Sequence, residues 1–143
     1  MVRISEKEAE RLGLASKAPP KTKQRKYKNE PCTFKGIKFD SIKERDYYII
    51  LLDREKKGEI YQLQRQVKIN IQPRFKTPDG KTVREINYNA DFVYMSPVRD
   101  EQGIFIRWDH HIVDVKGGTA TKTAVYRLKK KLLAYKGFYI EEV

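Results

Sequence analysis

The stretch best suited to chemistry is Ile112-Val113-Asp114-Val115-Lys116-Gly117, a short apolar run that carries an acid and a lysine two residues apart. Side chains alternate along a β-strand, so Asp114 and Lys116 emerge on one face while Val113 and Val115 pack into the other. Two further acids stand out. Glu44 follows Asp40-Ser41 near the start of an expected helix, and Asp91 is embedded in Tyr88-Asn89-Ala90-Asp91-Phe92-Val93-Tyr94, a run of high β-propensity in which aspartate is disfavoured. Each has a plain structural reading: an ion pair on an edge strand, a capping box with Ser41, a solvent-facing aspartate. Their convergence would mean more. Two carboxylates about 4 Å apart repel by ~4 kcal/mol at an effective dielectric of 20, so a cluster of three calls for a cation. Oxygen-only ligands favour Mg²⁺ or Mn²⁺. Such an ion polarises a phosphoryl oxygen and lowers the pKa of a bound water, and a neighbouring lysine can orient or help deprotonate that water. This is the chemistry of phosphodiester hydrolysis.

Positioning these groups falls to a helix and two strands. The spacing predicts a helix from Ile42 to Lys57, with an apolar stripe from Tyr47 to Leu52 and Gly58 as the residue that ends it. Glu44 shares a face with Tyr48, Leu51, Leu52 and Glu55 and so lies beside the stripe that meets the sheet. A short strand is expected around Gly36. From Ile60 the period becomes two and predicts a strand ending at Pro73, and Asp79-Gly80 signals a hairpin. On the return strand Ile86, Tyr88, Ala90, Phe92 and Tyr94 should share one face, with Asn89, Asp91 and Val93 on the other. Ile104 to Lys116 is the next strand or strand pair. Within it His110 and His111 alternate, so they cannot both face one metal and are read as satisfied polar or core residues. Thr121 to Lys136 has helical spacing with Val125, Leu128, Leu132 and Tyr135 as the expected core stripe, and Phe138 to Val143 forms a last strand, parallel to that of Asp114. The fold expected is α/β (α+β), an αβββαβ core with a mixed central sheet flanked by helices.

Composition bounds the partners. The 143 residues suffice for one domain with a real core, and 31 Lys and Arg against 19 Asp and Glu give a net charge of +12. That favours a polyanion, with nucleic acid first. No stretch approaches the length of a membrane span and the polar N-terminus lacks a signal-peptide core, so a soluble, cytoplasmic protein without membrane contact is expected. The lone Cys32 fits a reducing compartment and reads as a packing residue. Residues 1–30 read as a basic arm and 31–143 as the domain. In the arm Lys17, Lys21, Lys23, Arg25, Lys26 and Lys28 occur without an acid, a pattern suited to following a phosphate backbone or to keeping a tail soluble. Lys122 and Arg127, after the Asp114 strand, are further candidates for phosphate contact.

Taken in order, Phe39-Asp40-Ser41-x-x-Glu44, Tyr88-x-Ala90-Asp91-Phe92 and Asp114-Val115-Lys116-Gly117 resemble the PD-(D/E)xK nuclease superfamily, and more closely the phage-encoded Holliday junction resolvase-like proteins and phage endonuclease I. The resemblance covers roughly residues 27 to 143. It implies a restriction-endonuclease-like fold, with Asp91, Asp114 and the Val115 carbonyl as metal ligands, Glu44 as a further ligand or the holder of a metal-bound water, and Lys116 acting on the attacking water. It also implies a Mg²⁺-dependent endonuclease for branched DNA in a phage-infected host's cytoplasm, working as a homodimer because two symmetrically placed strands must be cut. Two residues depart from the family pattern: Ala90 stands where proline is common, and Asp114 where the longer glutamate is. A less selective nuclease or nickase of the same fold, or a basic nucleic-acid-binding module without catalysis, are the competing expectations.

Overall fold

A computed structural model of the chain describes residues 31–116 and 122–143. The basic arm residues Lys21, Lys23, Arg25, Lys26 and Lys28, and Gly117, lie outside the described residues. The chain opens with a hairpin, β1 (Cys32–Phe34) and β2 (Ile37–Phe39), rather than the single strand expected around Gly36. Lys35 and Gly36 both take positive φ, the backbone that a two-residue turn between twisted strands requires. Helix α1 (Ile42–Lys56) follows, capped by Ser41, whose Oγ accepts the Glu44 N–H at 3.1 Å. Gly58, at φ +73°, ends it in the left-handed conformation expected of a C′ glycine.

The central sheet contains β3 (Tyr61–Gln72), β6 (Ile86–Arg99), β7 (Phe105–Asp114) and β8 (Ile140–Glu142), in the order β3-β6-β7-β8. The first two pairings are antiparallel and β7–β8 is parallel, with helix α2 (Ala124–Tyr135) as the crossover. A small hairpin, β4 (Phe75–Lys76) with β5 (Thr82–Val83), sits between β3 and β6 around the Asp79-Gly80 turn. Leaving aside the two small hairpins, the order is αβββαβ, an α+β fold with a mixed sheet.

The sheet is covered on both faces. The core on the α1 side joins Leu51 of the helix to Phe39, Ile60, Phe92, Tyr94 and Val113, with Tyr48 stacked on Phe92 at 5.9 Å. The core on the α2 side joins Tyr126 and Leu133 of that helix to Ile71, Tyr88, Ala90, Ile112 and Ile140. These groupings correct the expected alternation of β6. Tyr88 and Ala90 face α2 but Phe92 and Tyr94 face α1, so the side-chain phase inverts at Asp91. The same inversion occurs on β3, where Leu63 joins the α1 side and Ile69 and Ile71 the α2 side. Between them the ladder pairs Arg65 with Phe92 and Val67 with Ala90, which sets Gln66 opposite Asp91. Gln66 has φ +49°, a left-handed backbone that is uncommon for a side chain of this size and turns the strand at this point.

A second correction concerns α2. It begins at Ala124, with Thr123 as its N-cap, rather than at Thr121. Its buried residues are Tyr126 and Leu133, while Val125, Leu128, Leu132 and Tyr135 are exposed. The helix has two apolar stripes, and the smaller one, with its aromatic ring, is the one that meets the sheet.

Candidate active site

The β6–β7 register sets Phe92 opposite Val113, so one step further Asp91 faces Asp114 across the sheet, and the β7–β8 register sets Asp114 beside Glu142. Three acids from three strands therefore stand in one row. Like charges directly opposite one another destabilise a sheet, and this row persists because each member has separate partners.

Asp114, 5% exposed, accepts the Tyr88 hydroxyl on Oδ2 at 2.5 Å and pairs through the same oxygen with Lys116 Nζ at 2.7 Å. The ammonium of Lys116 also lies over the Tyr126 ring, 3.9 Å from its centroid, a cation–π contact that holds it at the mouth of the site. Its backbone is fixed from both sides: Lys116 N–H donates to the Val143 carbonyl, and its own carbonyl accepts Lys43 Nζ from α1 at 2.8 Å. The expectation that Asp114 and Lys116 share a face opposite Val113 and Val115 holds, since both valines pack on the α1 side.

Asp91 was expected beside Asn89 and Val93; at the phase inversion its carboxylate instead turns along the sheet. Oδ2 accepts the Val115 N–H at 2.8 Å and Oδ1 accepts Gln66 Nε2 at 3.3 Å. Burial pushes its carboxyl up to about 7, helped by the hydrogen bond to Asp114 and opposed by the Val115 amide. Asp91 therefore takes up a proton more readily than an ordinary aspartate.

At Glu44 the backbone and the side chain have different partners. Its backbone N–H completes the Ser41 cap, while its carboxylate, in a residue 4% exposed, accepts Gln66 Nε2 at 3.2 Å. Burial raises its pKa, against the lowering effect of the Asp40 backbone amide. Gln66 bridges Glu44 and Asp91 with one amide group. Sequence reasoning missed it, because a glutamine in an alternating strand reads as solvent-facing and its left-handed backbone leaves no compositional trace.

Tyr88, Tyr126, Lys129 and Glu142 were missed as well. The first three line, with Asp91, Asp114 and Lys116, a cleft of about 390 Å³ between the sheet and the start of α2. Glu142 is held by Lys122 and Lys130, each at 2.5 Å, and by the Tyr126 hydroxyl at 3.0 Å, and these bonds lower its pKa to about 2, Lys122 foremost. Lys122, expected as a phosphate contact, thus has an acid partner, and Arg127 is exposed on α2 away from the cleft lining. His111 is satisfied by Ser96 Oγ at 2.7 Å and Glu141 Oε1 at 2.6 Å, as a polar residue should be; His110 is exposed.

A hard divalent cation suits this donor set. Asp91 and Asp114 face one another, and the Val115 N–H donates to Asp91 beside Lys116. Among the described residues no three of His, Cys, Asp or Glu are grouped closely enough to form a complete ligand set by themselves. Two carboxylates, a carbonyl and waters is the combination that Mg²⁺ commonly accepts.

No curated protein and no solved structure matches the chain. One family model, described as a protein of unknown function (DUF1064), matches residues 24–142, and the chain belongs to that family.

Proposed function

We propose that the chain is a divalent-metal-dependent DNA endonuclease of the PD-(D/E)xK type, acting on branched DNA in the manner of a Holliday junction resolvase. The observation that carries this reading is the Asp91–Asp114 pair, set face to face across β6 and β7 with Lys116 beside it at the mouth of a polar cleft. A purely structural sheet has no reason to set a buried Asp114 against a half-buried Asp91, and the +12 charge of the chain suits a phosphate backbone.

Mg²⁺ or Mn²⁺ would be held by Asp91, Asp114 and the Val115 carbonyl, and when bound it supplies Lewis-acid stabilisation at a phosphoryl oxygen. The chain's own residues do the rest. Lys116, its ammonium kept over the Tyr126 ring, orients the attacking water and stabilises the hydroxide left when that water gives its proton to bulk solvent. Tyr88 fixes the Asp114 carboxylate through the hydroxyl bond to Oδ2. Glu44, coupled to Asp91 by Gln66, holds a water on the inner side of the pair. Lys129, on the cleft wall, and the arm residues contact neighbouring phosphates.

Cleavage of a labelled four-way junction in Mg²⁺, beside linear duplex and beside an EDTA control, tests the reading. Junction cleavage abolished by EDTA is expected. Equal cutting of duplex would mean a less selective nuclease, and binding without any cutting in Mg²⁺ or Mn²⁺ would leave a nucleic-acid-binding module.

A further inference from the structure

Beside the cleft runs a second groove of about 330 Å³, between the start of β6 and the outer stripe of α2. Its walls are aliphatic, Ile86 from the strand and Val125, Leu128 and Leu132 from the helix, and polar groups enter it at Glu85, Asn87 and Lys129. Val125 and Leu128 are 61% and 57% exposed, whereas Tyr126 and Leu133 close the core, so folding does not call for this stripe. Cleft and groove are continuous, since Asn87, Val125 and Lys129 line both. What lies next to a scissile phosphate is the neighbouring nucleotide, which has flat apolar faces, a hydrogen-bonding edge and a phosphate. The groove offers a counterpart to each. Its aliphatic side chains suit a base face. Asn87 is oriented by Asn70, whose Nδ2 donates to its Oδ1 at 2.8 Å, which leaves Asn87 Nδ2 to donate to a base edge, and the Glu85 carboxylate accepts from an exocyclic amino group. Lys129 stands where the two depressions meet, the place of a phosphate joining successive nucleotides, on a helix that contains no acid. The volume is at the low end of the ~300–1,000 Å³ of small-ligand sites, suited to one base with its sugar.

We propose that the groove holds one unpaired nucleobase of the strand being cut, from the position next to the scissile phosphate. Inside a duplex both faces of a base are covered by its neighbours, so a base reaches Ile86 and Leu128 only after it has left the stack. This occupant rests on the endonuclease reading and deepens it, because it gives a preference for branched DNA a physical cause. Extracting a base is hard within a continuous helix and easier at a branch point, where the run of stacked pairs is interrupted. Aliphatic walls accept the face of any base, so the groove responds to how readily a base leaves the helix more than to sequence.

Fluorescence anisotropy of the full chain in EDTA, where no metal-dependent cutting occurs, tests it with two labelled duplexes of one sequence. One carries a single extra unpaired adenine, the other an abasic nucleotide at the same place. Wild type should bind the adenine duplex at least ~5-fold more tightly, a ratio in which phosphate contacts and the bend of the DNA cancel. Leu128→Glu and Leu128→Ser should each bring the ratio close to one. The ratio is the readout because the added carboxylate weakens binding to both duplexes alike, and the uncharged serine controls for that repulsion. Leu128 is exposed, so circular-dichroism melts of both variants should match wild type. In a four-way junction, 2-aminopurine at the branch point should brighten when wild type binds, as it leaves the stack for aliphatic surroundings, and stay dim with Leu128→Glu. A wild-type ratio near one, a ratio indifferent to both variants, or aminopurine that stays dim with wild type would each overturn the proposal, even if junctions are cut in Mg²⁺. A base preference in a chain that cuts nothing would keep the groove as a base site and remove the endonuclease reading.

Discussion

Strand β7 has two unlike halves. At its inner end Ile112, Val113 and Asp114 are all buried, whereas at its outer end Phe105, Ile106, Arg107 and Trp108 are all exposed. Nothing in the local β-propensity separates them; the difference is what flanks them. The inner half has β6 on one side, β8 on the other and a helix on each face, and there the sheet buries an acid. The outer half has only β6 beside it, and there it exposes an indole, a phenyl ring and Ile106. Charge in the covered half and apolar surface in the open half is the reverse of what folding alone favours.

The comparison is broken most severely at Asp114. Asp114→Asn should lower junction cleavage by more than ~100-fold while leaving DNA binding intact or slightly tighter, because a ligand and a repulsive charge disappear together. Persistent wild-type cleavage in single-turnover assays would remove the metal-site reading. Gln66→Ala should act at one remove. It unties Glu44 from Asp91, so metal affinity measured by titration calorimetry should fall by ~10-fold or more, with secondary structure unchanged. If affinity holds, the bridge is merely structural.

Stability should follow the same division. Leu133, fully buried against the sheet, and Leu128, on the open stripe, belong to one helix. Leu133→Ala should cost ~2–5 kcal/mol in urea unfolding, and Leu128→Ala within about 0.5 kcal/mol. Equal costs would mean that the helix packs by its other face.

Asp91 adds a pH dependence. Its carboxyl lies near 3.8 in an unfolded chain and is pushed up to about 7 in the metal-free fold, mainly by burial. Between those values the folded protein retains a proton that the unfolded chain has released, so this group's contribution to stability falls as pH rises from about 4 to about 7 and levels off above. Glu142, lowered to about 2, works in the opposite sense, and its stabilisation is lost as pH falls below about 4.5. Melts in EDTA from pH 5 to pH 8, wild type against Asp91→Asn, isolate the first effect, which should vanish in the variant.

The element order was legible because turn chemistry marks it: Asp79-Gly80, Gly58 and Gly137 punctuate runs whose period is plainly two or plainly helical. Three things were not. The phase inversion at Gln66 and Asp91 changes no composition, so an alternating pattern conceals it. The second stripe of α2 was hidden by the first, since periodicity ranks stripes by apolar content and takes no account of which face a sheet will meet. Glu44 stands three residues after Ser41, the spacing of a cap, and only the third dimension shows that its backbone N–H serves the cap while its carboxylate meets Gln66.

Trp108 is the one tryptophan of the chain, and it stands on the open half of β7 between Tyr61 and Phe105. Tryptophan emission, excited beyond the tyrosine absorption band, therefore watches the ribbon rather than the core. A thermal melt followed at this chromophore records when the projecting strands loosen, while far-ultraviolet dichroism records the sheet and helices, and the two curves need not coincide. A blue shift of its emission on concentrating the protein would report the arrival of a neighbour at the indole with no label attached.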